Sequence, residues 1–241
     1  MSLRNKVGLK VCALLLGSFL LLPRPMSSKG EEARVLTHVN TEEKVIALTF
    51  DDGPHPKNTP AILDLLAEYN AKATFFVIGK NMELYGDAAV RAAAEGHELG
   101  NHTYCHPSLS ALSRGAMLRE IEENAAMIRK TTGKQATLFR PPEGYCTQSV
   151  RAAAAESGLS LILWDVDTRD WAGLATEAIV ANVMENALPG SIVLFHDYSG
   201  TNCHTVAALK EILPRLDAAG FRFVTVSELL AHATPAAEGA S

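Results

Sequence analysis

The sequence predicts an α/β fold on a parallel sheet, curled into a closed or nearly closed barrel rather than left open. Three observations predict it. Strand-like apolar runs alternate with helical segments along most of the chain. Those runs are apolar throughout, as in strands covered on both faces. Each polar cluster also follows a strand: Asp51-Asp52, then His102 and His106, Arg140, Asp167 and Asp170, and His196. Sites in parallel α/β folds gather at that end of the strands.

The elements follow in order. Lys44 to Phe50 is a β-rich run broken by Pro54-His55-Pro56. Thr59 is placed to cap a helix over 61–66, with Pro60 at its first position. Residues 73–78 are a strand closed by Gly79, and Asp87 opens an alanine-rich helix that stops at Gly96. Residues 97–100 are a short strand running into His102. The longest helical pattern covers 111–131, with Ile121, Ala125 and Ile128 on one face and Gly133 as its stop. Thr137-Leu138-Phe139 is a strand, 149–156 a helix ended by Gly158, and 160–164 a buried strand. A helix over 174–187 ends at Pro189-Gly190, and 191–195 is a strand leading to His196-Asp197. A helix over 204–219, a strand over 221–225 and a short helix through Leu229-Leu230 complete seven strand candidates, most followed by a helix.

The chain has 241 residues, enough for one ordinary domain. Arg4, Lys6 and Lys10 precede a 12-residue apolar run, Val11 to Leu22, ended by Pro23 and Pro25. Twelve helical residues span about 18 Å, short of a hydrocarbon layer of roughly 30 Å. Residues 1–28 therefore read as a secretory signal, with an N-terminal membrane anchor as the alternative. The expected organisation is 1–28 signal or anchor, 29–43 polar linker, 44–231 main domain carrying the polar clusters and 232–241 flexible tail. Losing residues 1–28 removes four cations and no acid, which moves the net charge from −5 to −9. An acidic domain has no electrostatic reason to seek nucleic acid, and a neutral or cationic substrate suits it. Export places the domain in the periplasm, outside the cell, or anchored with the domain outside the cytoplasm. The chain is expected to act as a monomer. Beyond Cys12 there are three cysteines, Cys105, Cys146 and Cys203. Cys105 and Cys146 are read either as a disulfide joining two site loops or as separate thiols.

One carboxylate of Asp51-Asp52 with two imidazoles four residues apart makes a three-ligand set for a divalent metal, with a position open for water. The second carboxylate is a candidate general base, and the set reads as hydrolytic. The histidines converge if Thr103–Cys105 makes one helical turn. Gly53 is the residue expected to turn the strand end so that both aspartates reach one cavity.

Thr49-Phe50-Asp51-Asp52-Gly53, His102-Thr103-Tyr104-Cys105-His106, Arg140-Pro141-Pro142-Glu143-Gly144, Asp167-Thr168-Arg169-Asp170-Trp171 and Leu194-Phe195-His196 occur in that order. Over about residues 44–230 the chain resembles the NodB-homology polysaccharide deacetylases, carbohydrate esterase family 4. The resemblance implies a distorted (β/α)7 barrel and metal-dependent removal of acetyl groups from N-acetylated sugars. It implies Asp52, His102 and His106 as ligands of one divalent metal, zinc or else cobalt. Asp51 then looks like the general base, held by Arg140, and His196 the general acid, oriented by Asp170. Leu194 and Trp171 look like the lining of an acetyl pocket, with a plain core role as the alternative. Glu143 departs from the family's usual aromatic or small residue. Its backbone N–H still suits an oxyanion, while its carboxylate alters the nearby subsite. Tyr145 is placed to supply the displaced aromatic platform. Peptidoglycan is the first substrate expected and chitin-type oligomers the next. The alternatives are O-acetyl ester hydrolysis on a xylan-like polymer and a non-enzymatic carbohydrate-binding domain.

Overall fold

The computed structural model describes residues 33–198 and 204–234. The expected export segment, Cys12, Cys203 and positions 235–241 lie outside them. Nine strands form one sheet: Val35–Leu36 (β1), Val45–Asp51 (β2), Thr74–Val77 (β3), Glu98–Asn101 (β4), Leu138–Phe139 (β5), Ser160–Ile162 (β6), Val166–Asp167 (β7), Ile192–His196 (β8) and Arg222–Phe223 (β9). The helices are Asn58–Glu68 (α1), Gly79–Ala94 (α2), Arg114–Thr132 (α3), Gln148–Glu156 (α4), Thr176–Asn186 (α5), Thr205–Ala218 (α6) and Val226–Ala231 (α7). Counting β6 and β7 together, this is seven βα units, as the resemblance implies.

The ladder runs β1-β6-β5-β4-β3-β2-β8-β7, with β9 also paired to β2, and every strand pair is parallel. β1 and β7 end the ladder without pairing to each other, so the barrel is open on one side. The chain itself crosses that side, because residues 163–165 connect β6 to β7. Asp165 fastens the base of the seam. Its carboxylate accepts from His38 Nδ1 (2.8 Å), Ser191 Oγ (2.8 Å) and the Ile192 N–H (2.8 Å).

Two apolar layers hold this frame. Outside, Phe50, Phe75 and Phe195 stack at centroid distances of 5.0 and 5.6 Å beneath the helices. Inside, Val45, Ala47, Phe76, Leu138, Ile162 and Ile192 fill the barrel floor. Burying each phenylalanine contributes about 1.5–3 kcal/mol.

Several elements differ from the sequence reading. Val35–Leu36 lie in the expected linker but pair with Leu161–Ile162, and Val39 is buried. A two-residue strand is too short to carry a period, and the same holds for β7. The first residues of the expected tail are also attached, since Thr234 N donates to Asn40 O and His232 Nδ1 meets Glu43 Oε1. Gly79 opens α2 as well as closing β3, and Tyr85 breaks that helix (φ −134°) just before Asp87. Thr59 does not cap α1. It lies inside the first turn, where its hydroxyl accepts the His55 N–H and meets the Asp197 carboxylate. Gly133, in the left-handed region at φ 70°, does end α3.

Asp165→Ala should lower the free energy of urea unfolding by roughly 2 kcal/mol, because three donors at the seam lose a charged acceptor. A change below about 0.5 kcal/mol would mean that the seam does not depend on this carboxylate.

Candidate active site

Along β2, Ile46, Leu48 and Phe50 pack outward against the helices, while Val45 and Ala47 face the barrel floor. Strand alternation then turns Thr49 and Asp51 inward above them. On β8, Val193 and Phe195 are outward and Ile192 inward, so Leu194 and His196 share the inner face. The register sets Thr49 beside Leu194 and Asp51 beside His196. Two groups 145 positions apart thus stand abreast at the same end of the barrel.

Arg140 follows β5 and is fully buried in the barrel interior. Its guanidinium donates to Asp51 Oδ1 (2.7 Å), Thr49 Oγ1 (2.8 Å), Leu163 O (3.0 Å) and Ile162 O (3.3 Å). The Phe76 ring lies under it at 4.1 Å and the Trp164 ring at 5.4 Å. Gly100, beside Phe76 in the register, leaves room for that ring: a Cβ there would fall 2.4 Å from it. Burial pushes the Arg140 pKa down and Asp51 pushes it back up. The guanidinium remains charged, because arginine titrates above the working range. Asp51 is therefore held by a fixed cation rather than by a surface salt bridge.

Asp52 takes the opposite course. Its own backbone is left-handed, at φ 74°, and Asn81 Nδ2 donates to its carbonyl (2.7 Å). This conformation, not Gly53, swings Asp52 away from Asp51. Gly53 is needed for space instead, since a Cβ there would fall 2.1 Å from the Asp197 carboxylate. Asp52 Oδ1 lies 3.4 Å from His102 Nε2 and 3.3 Å from His106 Nε2. The expected helical turn between the histidines is absent. Thr103 (φ 68°) and His106 (φ 54°) are left-handed, and those two residues bring the rings to a centroid distance of 5.0 Å. His102 Nδ1 lies 2.7 Å from Arg140 O, and a carbonyl can only accept. The proton therefore sits on Nδ1, which leaves the Nε2 lone pair for the site.

The ligand atoms of Asp52, His102 and His106 all lie within 4.8 Å of one another. Asp52 Oδ1 is buried without a hydrogen-bond partner among the described residues. Burial opposes a charge on His102, yet Asp51 and Asp52 outweigh it and raise its pKa. A buried bare carboxylate oxygen, an imidazole lone pair fixed toward it, and excess negative charge fit a divalent cation.

His196 Nδ1 lies 2.8 Å from Asp170 Oδ1. The same carboxylate accepts the Trp171 N–H (2.9 Å), the His196 N–H (2.8 Å) and the Thr205 hydroxyl (2.6 Å), which locks it in place. Burial works against the imidazolium, but Asp170 outweighs it and His196 is raised to about 9. Asp167 serves its own turn, accepting the Arg169 N–H (2.9 Å). Burial pushes the Asp197 carboxyl up to about 7, so its charge at neutral pH is reduced rather than full.

The remaining sequence-selected residues lie on β8 or on the loops that follow β4, β5 and β7. Glu143 is exposed and left-handed (φ 58°), and its turn is bonded through Gly144 N and Tyr145 N rather than through its own N–H. Tyr145 is 36% exposed and Trp171 55%. Leu194 is buried, yet it lies in neither the outer nor the floor layer. Cys105 and Cys146 are free thiols, so the disulfide alternative is not realised. Sequence reasoning missed Trp164 and Thr205 as supports. Trp164 ended an apolar run and Thr205 opened a helix, and neither carried a motif.

A family model described as polysaccharide deacetylase matches residues 38–162. The chain is 45% identical over 200 residues to a peptidoglycan-N-acetylglucosamine deacetylase of Bacillus cereus, covering 82% of this chain and 93% of that one. It is 38% identical over 199 residues to a chitooligosaccharide deacetylase of Sinorhizobium fredii, covering 78% and 93%. Its fold is similar to the crystal structure of a peptidoglycan N-acetylglucosamine deacetylase in complex with 4-naphthalen-1-yl-N-oxidanyl-benzamide. That match has a TM-score of 0.79 and 35% identity, over 84% of this chain and 95% of the other.

In metal-free protein, an NMR titration should place the His196 imidazole near pH 9. The stabilisation from its pair with Asp170 is then fully present below about pH 6.5 and lost as pH rises through the folded value. Asp170→Asn should bring the His196 pKa down, since a neutral amide no longer favours the cation. An unchanged titration in that variant would contradict the assignment.

Proposed function

The chain belongs to the polysaccharide deacetylase family, and from that premise we propose that it hydrolyses the N-acetyl groups of amino sugars in peptidoglycan. The carrying observation is the register of β2 on β8, which sets Asp51 abreast of His196 beside the Asp52, His102 and His106 donor set. The similarity to enzymes named for peptidoglycan favours that polymer, and the Sinorhizobium relative makes chitin-type oligomers the second substrate to test.

Asp52 Oδ1, His102 Nε2 and His106 would hold the metal, with zinc the ion that best suits one carboxylate and two imidazoles. When bound, the ion supplies Lewis acidity for water and for the acetyl carbonyl. Asp51, fixed by Arg140, accepts the proton of the attacking water. The Glu143 N–H donates to the oxygen that becomes negative as the carbonyl carbon turns tetrahedral. His196 gives its proton to the departing nitrogen, which leaves poorly as an anion. The products are acetate and a free amine. Leu194 and Trp171 bound the space for the acetyl methyl, and Tyr145 offers a ring for a neighbouring sugar.

The basic-then-apolar start of the sequence supports export, so the domain would act outside the cytoplasm. Fractionation should recover it there. The domain in the cytosol with residues 1–28 intact would refute export and remove peptidoglycan as the natural substrate.

Purified protein should release acetate from peptidoglycan or chitin oligomers, lose that activity to a chelator, and regain it with zinc or cobalt. Undiminished activity after complete metal removal would sink the metal reading. Asp51→Asn should bind the ion but lose about 100-fold or more in turnover. His196→Ala should slow amide hydrolysis far more than hydrolysis of an activated ester, whose leaving group needs no proton. Acetate release only from acetylated xylan would replace the amide reading by the ester one.

A further inference from the structure

We propose that Glu120, on α3, is a positioning residue for the metal site. It acts by holding the loop between the two histidines in its ligating form. The inference rests on the metal reading above but concerns a residue outside the five motifs.

The observation is one carboxylate oxygen on two consecutive amides. Glu120 Oε2 accepts the Tyr104 N–H (3.0 Å) and the Cys105 N–H (2.8 Å). Those peptides are the middle of the Thr103–His106 turn. The opposite edge of the turn is held by different partners: Gly79 N donates to Thr103 O (3.2 Å) and Lys80 N to Tyr104 O (2.9 Å). Those donors are the first two amides of α2, which have no partner within their own helix. The Tyr104 ring also lies over Gly79, where a Cβ would fall 2.2 Å from it, and its hydroxyl donates to Glu83 (2.6 Å). The loop is thus gripped by α2 through its carbonyls and by α3 through its amides.

The grip matters because the loop is strained. Thr103 and His106 both hold left-handed backbone, which a β-branched residue and an imidazole adopt at a cost. His102 is fixed independently by the Arg140 carbonyl, so it does not rely on the loop. His106 is the half-exposed ligand, and its N–H donates to Thr103 Oγ1 (3.1 Å). Its position relative to Asp52 is set through residues 103–105: the Thr103 N–H ends on Asn101 Oδ1 (2.9 Å), and the next two amides end on Glu120. Two charge-assisted hydrogen bonds to a helix-borne carboxylate oppose relaxation of that strain. Glu120 is half-buried on a helix whose neighbouring Met117 and Ile121 are buried, so its backbone is anchored apart from the loop.

The test is a cobalt titration of metal-free protein, read by the visible absorption of the bound ion, with zinc competition for affinity. Glu120→Ala should weaken binding about 10- to 100-fold and alter the cobalt spectrum. Glu120→Gln keeps an oxygen of the same reach without the charge, and should fall between the parent and Glu120→Ala. Glu122→Gln, an exposed position on the same helix, removes the same charge without touching the loop and should match the parent. If Glu120→Ala does not fold, Glu120→Gln decides. Parent affinity and spectrum in Glu120→Gln and Glu120→Ala would overturn the proposal, and so would equal losses in Glu120→Gln and Glu122→Gln, which would mean a general charge effect. Failure of the parent itself to bind cobalt or zinc would overturn the metal reading and this inference together.

Discussion

The buried guanidinium of Arg140 is the constraint on which the rest of the site depends. A charge at this depth persists only if paired and hydrogen-bonded. Here the partners come from β2, from the last residue of β6 and from the stretch after it, with Phe76 of β3 beneath. One side chain therefore ties together strands that the incomplete ladder does not join directly. Its backbone acts as well, because the Arg140 carbonyl sets the tautomer of His102. Removing it would leave the Asp51 carboxylate buried without its cation, the costly way to break such a pair.

From this follows a division of labour between adjacent aspartates. Asp51 is the last residue of a regular strand, faces inward by alternation and ends on Arg140. Asp52 leaves the strand in left-handed backbone and turns to the imidazoles. A cation bound to Asp52 would meet a buried oxygen with no hydrogen-bond partner among the described residues, while Asp51 is already committed to Arg140. In the proposed reaction His196, beside Asp51 in the register and bonded to Asp170, takes the opposite proton-transfer role. That proposal separates acid and base by environment on one pair of neighbouring strands.

Much of this was legible in the sequence because it rests on period and order. The long apolar strands, the stops at Gly133 and Gly158, and the clusters after strands all follow from local rules. The ligand trio and the Asp51–Arg140 and His196–Asp170 pairs were named through the resemblance, and the structure brings each group together. What was not legible rests on single backbone angles or on long-range contacts. The histidines converge through two left-handed residues that no propensity assigns to threonine. The Asp52 turn was credited to Gly53, whose actual role is to make space for Asp197. β1 and β7 are two residues long and are recognisable only by their pairing with β6 and β8. Glu120 belongs to an ordinary charged helix face, and nothing local separates it from Glu122.

The claim that consecutive aspartates are assigned to different tasks is open to one direct measurement: the anomalous-scattering map of zinc-loaded crystals. The account predicts a single peak bonded to Asp52, His102 Nε2 and His106 Nε2, with the Asp51 carboxylate outside bonding distance and still on Arg140. Zinc bonded to Asp51, or an Asp51 carboxylate released from Arg140 on loading, would contradict it.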